Sequence, residues 1–365
     1  MSGRALVAYG DVTQVATWST TPYFFLQAGC RNGLFQAGVV LRPERFRAQR
    51  LLWNALRPFV LDKPGGFNTS RAHLRKLWVD RHVPIEIDEY VSHYQLLPPR
   101  DVVRDPITYY IDATMRQFFE DYTYKIGRRI RAEALARERD AYHAARFVVC
   151  MSRWCADDVV SFYDVPPQRV RVIYPGANID DAFIPPQPGW DGNLSPLRLG
   201  FIGVDWERKG GPLLLDVATT LQRMGHSVEV VIIGPDPSTI PFHPAVRAIG
   251  FVDKARELPR FVALARSFHF GCLLSRAEAS GLSTLESLRL GVPVIATAIG
   301  GLAELPEDAC LLMPIERTSE SIAKELDAVI RAPERYATMR EAAERAGRYY
   351  SWDRAAREFI GLLEQ

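Results

Sequence analysis

Two glutamates separated by seven residues lie in a segment that could bind a ligand rich in hydroxyl groups. The segment reads Glu278-Ala-Ser-Gly-Leu-Ser-Thr-Leu-Glu286, follows an apolar strand and leads into a predicted helix. Carboxylates accept hydrogen bonds from adjacent hydroxyls, which a ribose or a sugar ring presents. Gly281 allows close backbone approach, and the N–H groups of Leu282 and Ser283 at the start of a helix could bind phosphate oxygens.

Purely structural interpretations of the two glutamates remain open. The residues from Ser283 to Glu286 match the S-x-x-E capping box, which alone would account for Glu286 near the helix start. Glu278 could equally be a solvated loop residue. The segment therefore predicts either a sugar and ribose site or an ordinary capped helix.

A second segment could clamp a phosphate group. It reads Gly203-Val-Asp-Trp-Glu-Arg-Lys-Gly-Gly211 and places Arg208 and Lys209 between a strand and a helix. Arginine supplies a bidentate fork and lysine a point charge. The segment matches neither the P-loop pattern nor the G-x-G-x-x-G fingerprint, and an exposed basic turn remains the alternative.

The chain that must position these residues has the size and composition of two globular domains. It has 365 residues, 47% of them hydrophobic, with 45 basic against 43 acidic side chains. We expect a linker at 185–196, rich in proline and glycine, between domains at 1–184 and 197–345. We expect a last helix within 346–365 to pack back toward the N-terminal domain. The nearly balanced charge argues against a nucleic-acid partner.

Short apolar strands alternate with helices along the second half, which predicts βαβ units and a parallel sheet. A third glycine-rich segment belongs to this pattern, with a strand at 291–297 followed by Gly300-Gly301-Leu-Ala-Glu304. The first half shows strands near 5–9, 38–41, 107–111, 147–151 and 170–174, but its pattern dissolves between 41 and 106. We therefore expect an α/β fold of two Rossmann-like domains, whose parallel sheets face each other across a cleft.

Together, the three segments of the second half resemble the family 4 glycosyltransferases of the GT-B fold. The resemblance implies a retaining, metal-independent transferase of the hexosyltransferase type with no cofactor, its substrate being a nucleotide-diphospho-sugar such as a UDP- or GDP-sugar. It implies that Glu286 binds the donor ribose and that Glu278 is catalytic through the donor sugar. Lys209 and the backbone at 281–283 would hold the diphosphate. The family's usual arginine after the first strand is Val204 here, and Arg208 is our candidate substitute.

The first half resembles the same family more loosely. Its loop after the first strand suggests Trp18, Ser19 and Thr20 as acceptor or donor contacts. The family often places a histidine on a central strand, whereas Asp112 stands there in this chain. We take Asp112 as a catalytic candidate near the reacting carbon, with a helix N-cap as the equal alternative. His82 and His93 lack the spacing of metal ligands.

These observations predict transfer of a sugar to the hydroxyl of a sugar-containing acceptor, in glycan, glycolipid or glycoconjugate biosynthesis. The alternatives are an epimerase or hydrolase of nucleotide sugars and a catalytically inactive nucleotide-sugar-binding protein. The start of the chain has no signal-peptide pattern, so we expect a cytoplasmic protein.

Residues 42–81 carry 10 basic and 3 acidic side chains interleaved with aromatic ones. They predict a solvated face or a peripheral contact with the inner face of an anionic membrane.

Overall fold

The computed structural model describes residues 3–61, 65–122, 127–186 and 190–365 of the chain. The chain forms two compact units. The first contains Met1–Tyr174 together with Trp352–Gln365, and the second contains Pro175–Ser351. The predicted linker at 185–196 lies inside the second unit, because the residues before it pack there. Ile179 joins the apolar core of that unit, and Asp181 forms an ion pair with Arg289.

The first unit is a parallel sheet with helices on both faces. In the described residues the sheet has six strands in the order β2-β1-β3-β4-β5-β6. The strands are β1 (Arg4–Val7), β2 (Ala37–Gly38), β3 (Glu89–Ser92), β4 (Ile107–Ile111), β5 (Phe147–Cys150) and β6 (Val170–Val172). The helices are α1 (Thr21–Arg31), α2 (Arg47–Leu61), α3 (Arg71–Val79), α4 (Met115–Asp121), α5 (Arg128–His143) and α6 (Arg153–Ser161).

The second unit repeats this architecture. Its described strands form one parallel sheet in the order β12-β11-β10-β7-β8-β9. The strands are β7 (Leu197–Ile202), β8 (Val228–Ile233), β9 (Val246–Gly250), β10 (Phe270–Leu273), β11 (Val294–Thr297) and β12 (Cys310–Met313). The helices are α7 (Gly211–Arg223), α8 (Lys254–Arg266), α9 (Leu282–Arg289), α10 (Ser319–Ile330) and α11 (Pro333–Tyr349). Two parallel α/β sheets match the predicted fold class.

The last helix, α12 (Trp352–Leu363), completes the core of the first unit. The rings of Trp352 and Phe359 lie 5.2 and 5.3 Å from that of Phe25 on α1. Phe359 also contacts Tyr110 of β4, with ring centroids 4.7 Å apart. The chain thus returns to the unit in which it began, because the apolar face of α12 covers one face of that sheet.

The stretch between 41 and 106 contains two helices and a strand that the sequence pattern does not reveal. Strand β3 is short and begins with a glutamate, Glu89, whose carboxylate is buried between Arg4 and Arg146. Helix α2 exposes several leucines, so its apolar residues do not mark a core-facing stripe. Both features blur the periodicity by which strands and helices are recognised.

A buried carboxylate, Glu138 of α5, fastens the start of α4. It accepts hydrogen bonds from the backbone N–H of Met115 at 2.8 Å and from the hydroxyls of Tyr142 and Tyr163. Burial raises the pKa of Glu138 to about 7, although the three donors oppose that rise. The charged form is therefore disfavoured in the folded protein.

We expect Glu138→Gln to change how stability depends on pH. The carboxyl titrates near its ordinary value of 4.5 in the unfolded chain and near 7 in the folded protein. The folded state therefore binds this proton more tightly, and wild type loses about 1.4 kcal/mol per pKa unit as the pH rises through that range. Urea unfolding from about pH 5 to pH 8 should show wild type losing stability relative to the variant. A pH-independent difference would contradict this, and Glu133→Gln on the exposed side of α5 is the control.

Candidate functional site

The candidate residues of the second unit meet where the order of its sheet reverses. From β7 the chain adds β8 and β9 on one side, and β10, β11 and β12 follow on the other. The loops after β7 and β10 therefore diverge at the carboxyl edge of the sheet. In open α/β sheets this switch point is where ligands bind. The loop after β7 carries Lys209, and the loop after β10 carries Glu278.

Lys209 and Glu278 form an ion pair across the switch point. The Lys209 Nζ donates to Glu278 Oε2 at 2.8 Å, and both side chains are largely buried, at 16% and 11% exposure. Ser275 Oγ donates to the same carboxylate oxygen at 3.3 Å. Gly203 makes the approach possible, because a Cβ there would lie 2.4 Å from Cδ of Lys209. The structure thus brings together two side chains that lie in separate sequence segments.

Glu286 is buried and paired with a lysine that the sequence did not suggest. Lys254, the first residue of α8, donates its Nζ to Glu286 Oε1 and lies 4.2 Å from the ring centroid of Phe261. Burial raises the pKa of Glu286, while the charges of Lys254 and Lys209 oppose that rise. A buried carboxylate paired with one lysine can still accept hydrogen bonds from ligand hydroxyls. Lys254 lies too far from Glu286 in the chain for a local motif to have linked them.

The start of α9 has no side-chain cap, and its capping differs from the alternative prediction. The N-cap is Gly281 in the left-handed conformation, with φ of 57°, and it provides no side-chain cap. Glu286 lies in the second turn and points to Lys254, so the S-x-x-E capping box is wrong. Leu282 and Ser283 form the first helical positions and are half-buried.

The loop after β11 supports the start of α9. The Gly301 N–H donates to the Ala279 carbonyl at 2.7 Å, and Leu302 is fully buried. A Cβ on Gly300 would lie 2.0 Å from the carbonyl oxygen of Glu278. Gly300 and Gly301 therefore position the loop that carries Glu278. Gly300 does so because it has no side chain, and Gly301 does so through its backbone hydrogen bond.

Arg208 lies beside the ion pair, whereas Val204 does not contribute a charge there. The Arg208 guanidinium donates to the Ala277 carbonyl at 2.7 Å and to Asp205 at 2.9 Å, and it lies 3.5 Å from Glu278 Oε2. Val204 is exposed. A further cation, Arg317, follows β12 and donates to the Ser275 carbonyl at 3.0 Å. The sequence interpretation missed Arg317 because this residue lies outside the glycine-rich segments.

In the first unit, Trp18, Ser19 and Thr20 form a strained turn after β1. All three residues have positive φ values, of 36°, 55° and 69°. Such strain in non-glycine residues accumulates where function demands a particular backbone path. The Thr20 hydroxyl is buried without a hydrogen-bond partner among the described residues.

A buried histidine, His93, lies beneath this turn and is a candidate that the sequence interpretation set aside. Its ring lies 5.3 Å from that of Trp18, and its Nδ1 bonds the Tyr110 carbonyl at 2.8 Å. Burial lowers the pKa of His93 to about 4, so the ring is neutral at pH 7. Its Nε2 has no partner within the described ranges. A polar group on a ligand could therefore satisfy it.

Asp112 directly follows β4, and His93 directly follows the neighbouring strand β3. It is half-buried and does not cap the following helix. That role belongs to Thr114, whose hydroxyl accepts from the Gln117 N–H at 3.2 Å. The N-cap alternative for Asp112 is therefore wrong. Asp112 and His93 both lie at the carboxyl edge of the first sheet.

Two kinds of feature are absent from the described residues. Among them, no cluster of three or more His, Cys, Asp or Glu side chains could hold a metal ion. No helix in the described ranges is long and apolar enough to cross a membrane.

Two family models match the chain. The model described as "Glycosyl transferases group 1" matches residues 196–332, and the one described as "Glycosyltransferase Family 4" matches residues 91–181. Together they cover more than half of the chain and include Lys209, Lys254, Glu278 and Glu286 in the second unit.

Curated relatives carry a related description. The D-inositol 3-phosphate glycosyltransferase of Salinispora tropica is 26% identical over 64% of this chain and 53% of its own length. The protein of the same name from Salinispora arenicola is 28% identical over 64% of this chain and 57% of its length. The chain thus spans little more than half the length of these relatives.

Solved structures share the fold along the whole chain. Sucrose-phosphate synthase from Thermosynechococcus elongatus has a TM-score of 0.69 at 14% identity, covering 100% of this chain and 99% of its own. The Anabaena protein Alr3699/HepE, in complex with UDP and glucose, has a TM-score of 0.68 at 14% identity, covering 99% of both chains. At such low identity the likeness shows the fold alone.

We expect Lys254→Met to destabilise the protein in a pH-dependent way. The substitution leaves Glu286 buried without its nearest cation, which costs about 3 kcal/mol or more near neutral pH. The pKa of Glu286 should rise further, so stability is lost as the pH rises and the penalty is larger at about pH 8 than at about pH 5. Urea unfolding at both pH values measures the effect.

Two further variants control this experiment. Adding Glu286→Gln removes the unpaired charge and should restore most of the lost stability. Arg256→Gln changes an exposed cation on the same helix, 87% exposed, and should leave stability unchanged. An equal penalty at both pH values would show that Lys254 acts through packing and not through charge.

Proposed function

The chain belongs to the family 4 glycosyltransferases of the GT-B fold, and from that membership we propose that it moves a sugar from a nucleotide-diphospho-sugar to an acceptor hydroxyl. The observation that carries the proposal is the pair of lysine-bound glutamates at the switch point of the second sheet. Glu286 would accept hydrogen bonds from the ribose, and Glu278 from the sugar. Lys209 and the N–H groups at the start of α9 would bind the diphosphate.

Charge on the leaving diphosphate would be stabilised by groups already in place. Lys209 is held by Glu278, and Arg208 is held by Asp205 and the Ala277 carbonyl, so neither has to be ordered when a donor binds. Preorganised cations stabilise a transition state more than mobile ones. Arg208 lies close enough to the ion pair to supply the charge that Val204 does not.

We propose that transfer retains the anomeric configuration and needs no metal or other cofactor. The acceptor oxygen would bond to the anomeric carbon on the face from which the diphosphate departs. The bond between that carbon and the phosphate oxygen breaks, and the proton of the acceptor hydroxyl passes to a phosphate oxygen. Glu278 would orient the sugar during this step. Donors of the UDP and GDP classes are the candidates.

The acceptor would contact the first unit. The strained turn at Trp18, Ser19 and Thr20 and the unpartnered Nε2 of His93 offer polar groups at the carboxyl edge of its sheet. Asp112 is our candidate for the group near the reacting carbon. The relatives named D-inositol 3-phosphate glycosyltransferases make a phosphorylated polyol the first acceptor to test, alongside sugar-containing acceptors.

Glu278→Gln should abolish sugar transfer while preserving donor binding. The variant keeps the shape of the side chain but loses its charge, and we expect at least about a 100-fold loss of transfer, on the scale of a lost electrostatic contact. Thermal unfolding with UDP and GDP first identifies the base, since a ligand at about 100 times its Kd adds about 2.7 kcal/mol of stability. Sugar transfer is then followed with the matching nucleotide sugars.

The controls separate the proposed reaction from its alternatives. Glu307→Gln changes an exposed glutamate of the same unit and should behave as wild type. Epimerisation or hydrolysis of donor alone at enzyme-like rates would favour an epimerase or hydrolase. Nucleotide-sugar binding without release of sugar would favour an inactive binding protein. Stabilisation by neither nucleotide would contradict the whole assignment.

We further propose that α2 makes a peripheral contact with an anionic membrane. Leu52 and Leu56, one helical turn apart, are 61% and 56% exposed, and Arg47 and Arg50 of the same helix are also exposed. An exposed amphipathic helix with basic residues is typical of proteins that lie at a membrane surface. This contact would place the protein at the inner face of the membrane.

The double variant Leu52→Gln with Leu56→Gln should bind phosphatidylserine vesicles more weakly than wild type. Loss of two leucine side chains that would insert into the membrane predicts a decrease of about tenfold or more, measured by co-sedimentation. Phe242→Gln, at a 97% exposed apolar residue of the second unit, should bind as wild type does. Equal binding by all three proteins would contradict a contact through α2.

A further inference from the structure

A cavity of about 400 Å³ lies in the first unit, apart from the residues assigned above. It lies on the face of the sheet that carries α3 and α5, because Tyr109 of β4 packs with those helices while Tyr110 faces α1 and α12. The turn at Trp18 contacts His93 and, through it, the α1 side. The cavity therefore opens on the opposite face of the sheet.

The cavity lies beside the crossover between β3 and β4, which contains no helix. In parallel sheets a crossover helix ordinarily covers the face between neighbouring strands. Here β3 ends at Ser92, β4 begins at Ile107, and the connection between them is irregular throughout. Its prolines, Pro98 and Pro99, line one wall, and space remains between this connection, α3 and α5.

Positive charge dominates the lining. The arginines come from three separate elements, and they are Arg71, Arg100, Arg104 and Arg137. The lining carboxylates are Asp140 and Asp101, which pairs with Arg71 of the lining at 3.9 Å and also with Arg75 outside it. Burial lowers the pKa of Arg137 and the charge of Arg71 lowers it further, while Tyr94, Glu133 and Asp101 oppose that shift. Four arginines against two aspartates give the lining a net positive charge, which suits an anionic ligand.

A buried hydroxyl provides independent support for a ligand. Tyr109 lines the cavity and is fully buried, and its hydroxyl has no hydrogen-bond partner in the described parts of the chain. A buried hydroxyl without a partner costs stability, and native proteins rarely leave one unless it has a role. Burial raises the pKa of Tyr109, and the charge of Arg100, which lines the same cavity, opposes that rise.

We propose that this cavity binds a small ligand with an oxyanion group, a phosphate or a carboxylate, between its arginines and the Tyr109 hydroxyl. The arginines bind the oxyanion by bidentate hydrogen bonds. The hydroxyl of Tyr109 donates to it or bonds a ligand hydroxyl. The apolar wall of Leu74, Leu96 and the prolines covers the rest of the ligand. The volume is within the range of ordinary small-molecule sites.

Calorimetric titration with three matched probes tests the proposal. Glucose 6-phosphate, glucuronate and glucose share a ring and differ in carrying a phosphate, a carboxylate or no charge. Wild type should bind one or both anions and not glucose, and the preferred anion identifies the oxyanion. Arg137→Gln should weaken that binding by about 10- to 100-fold, the value of a charged hydrogen bond. Failure of both anions to bind overturns the proposal.

Two further variants locate the binding. Tyr109→Phe should weaken anion binding and at the same time raise the thermal midpoint of the ligand-free protein, because it removes an unpartnered buried hydroxyl. A purely structural tyrosine would not give this combination. Lys209→Gln, which alters the site in the second unit, and Arg129→Gln, an exposed cation on α5, should bind as wild type does. Anion binding that survives Arg137→Gln, or that is lost in Lys209→Gln, places the ligand elsewhere and overturns the proposal.

Discussion

The second unit is organised around two carboxylates that are largely removed from water. A buried carboxylate needs a cation or several donors, because desolvation otherwise forces it to take up a proton. Glu278 meets this need with Lys209 from the loop after β7, and Glu286 meets it with Lys254 at the start of α8. These two pairs tie three different connections to the carboxyl edge of one sheet. The groups that balance each other are the same ones that would bind the ribose, the sugar and the diphosphate.

The first unit handles its buried polar groups differently. Glu138 has hydroxyl and backbone donors but no cation, and burial outweighs those donors, so it tends toward the neutral form. The cavity at Tyr109 has an excess of positive charge instead, because its lining contains more arginines than carboxylates. The cavity lies beside the irregular connection between β3 and β4. Such connections can carry charged side chains because they are not required to present a continuous apolar face.

Much of the second unit could be predicted from the sequence, and less of the first. Strands such as β8 are buried on both faces and read as continuous apolar runs, which local patterning reveals. Strand β3 is short and begins with a glutamate that two arginines neutralise from other elements. The burial of β3 depends on residues distant in the chain, so no local sequence pattern indicates that this segment is a strand. The same reasoning accounts for His93, whose importance appears only when Trp18 lies against it.

The sequence by itself determined the fold class, the two glutamates with their spacing, and the lysine between glycines at Lys209. These are local properties, set by residue type, periodicity and short spacing. Only the tertiary structure decided that Glu286 is bound by Lys254 and does not cap α9, and that arginines from three elements line the cavity at Tyr109. Each of these facts is a choice of partner across a long loop. The packing of whole helices and strands brings these partners together, so residue spacing alone does not predict them.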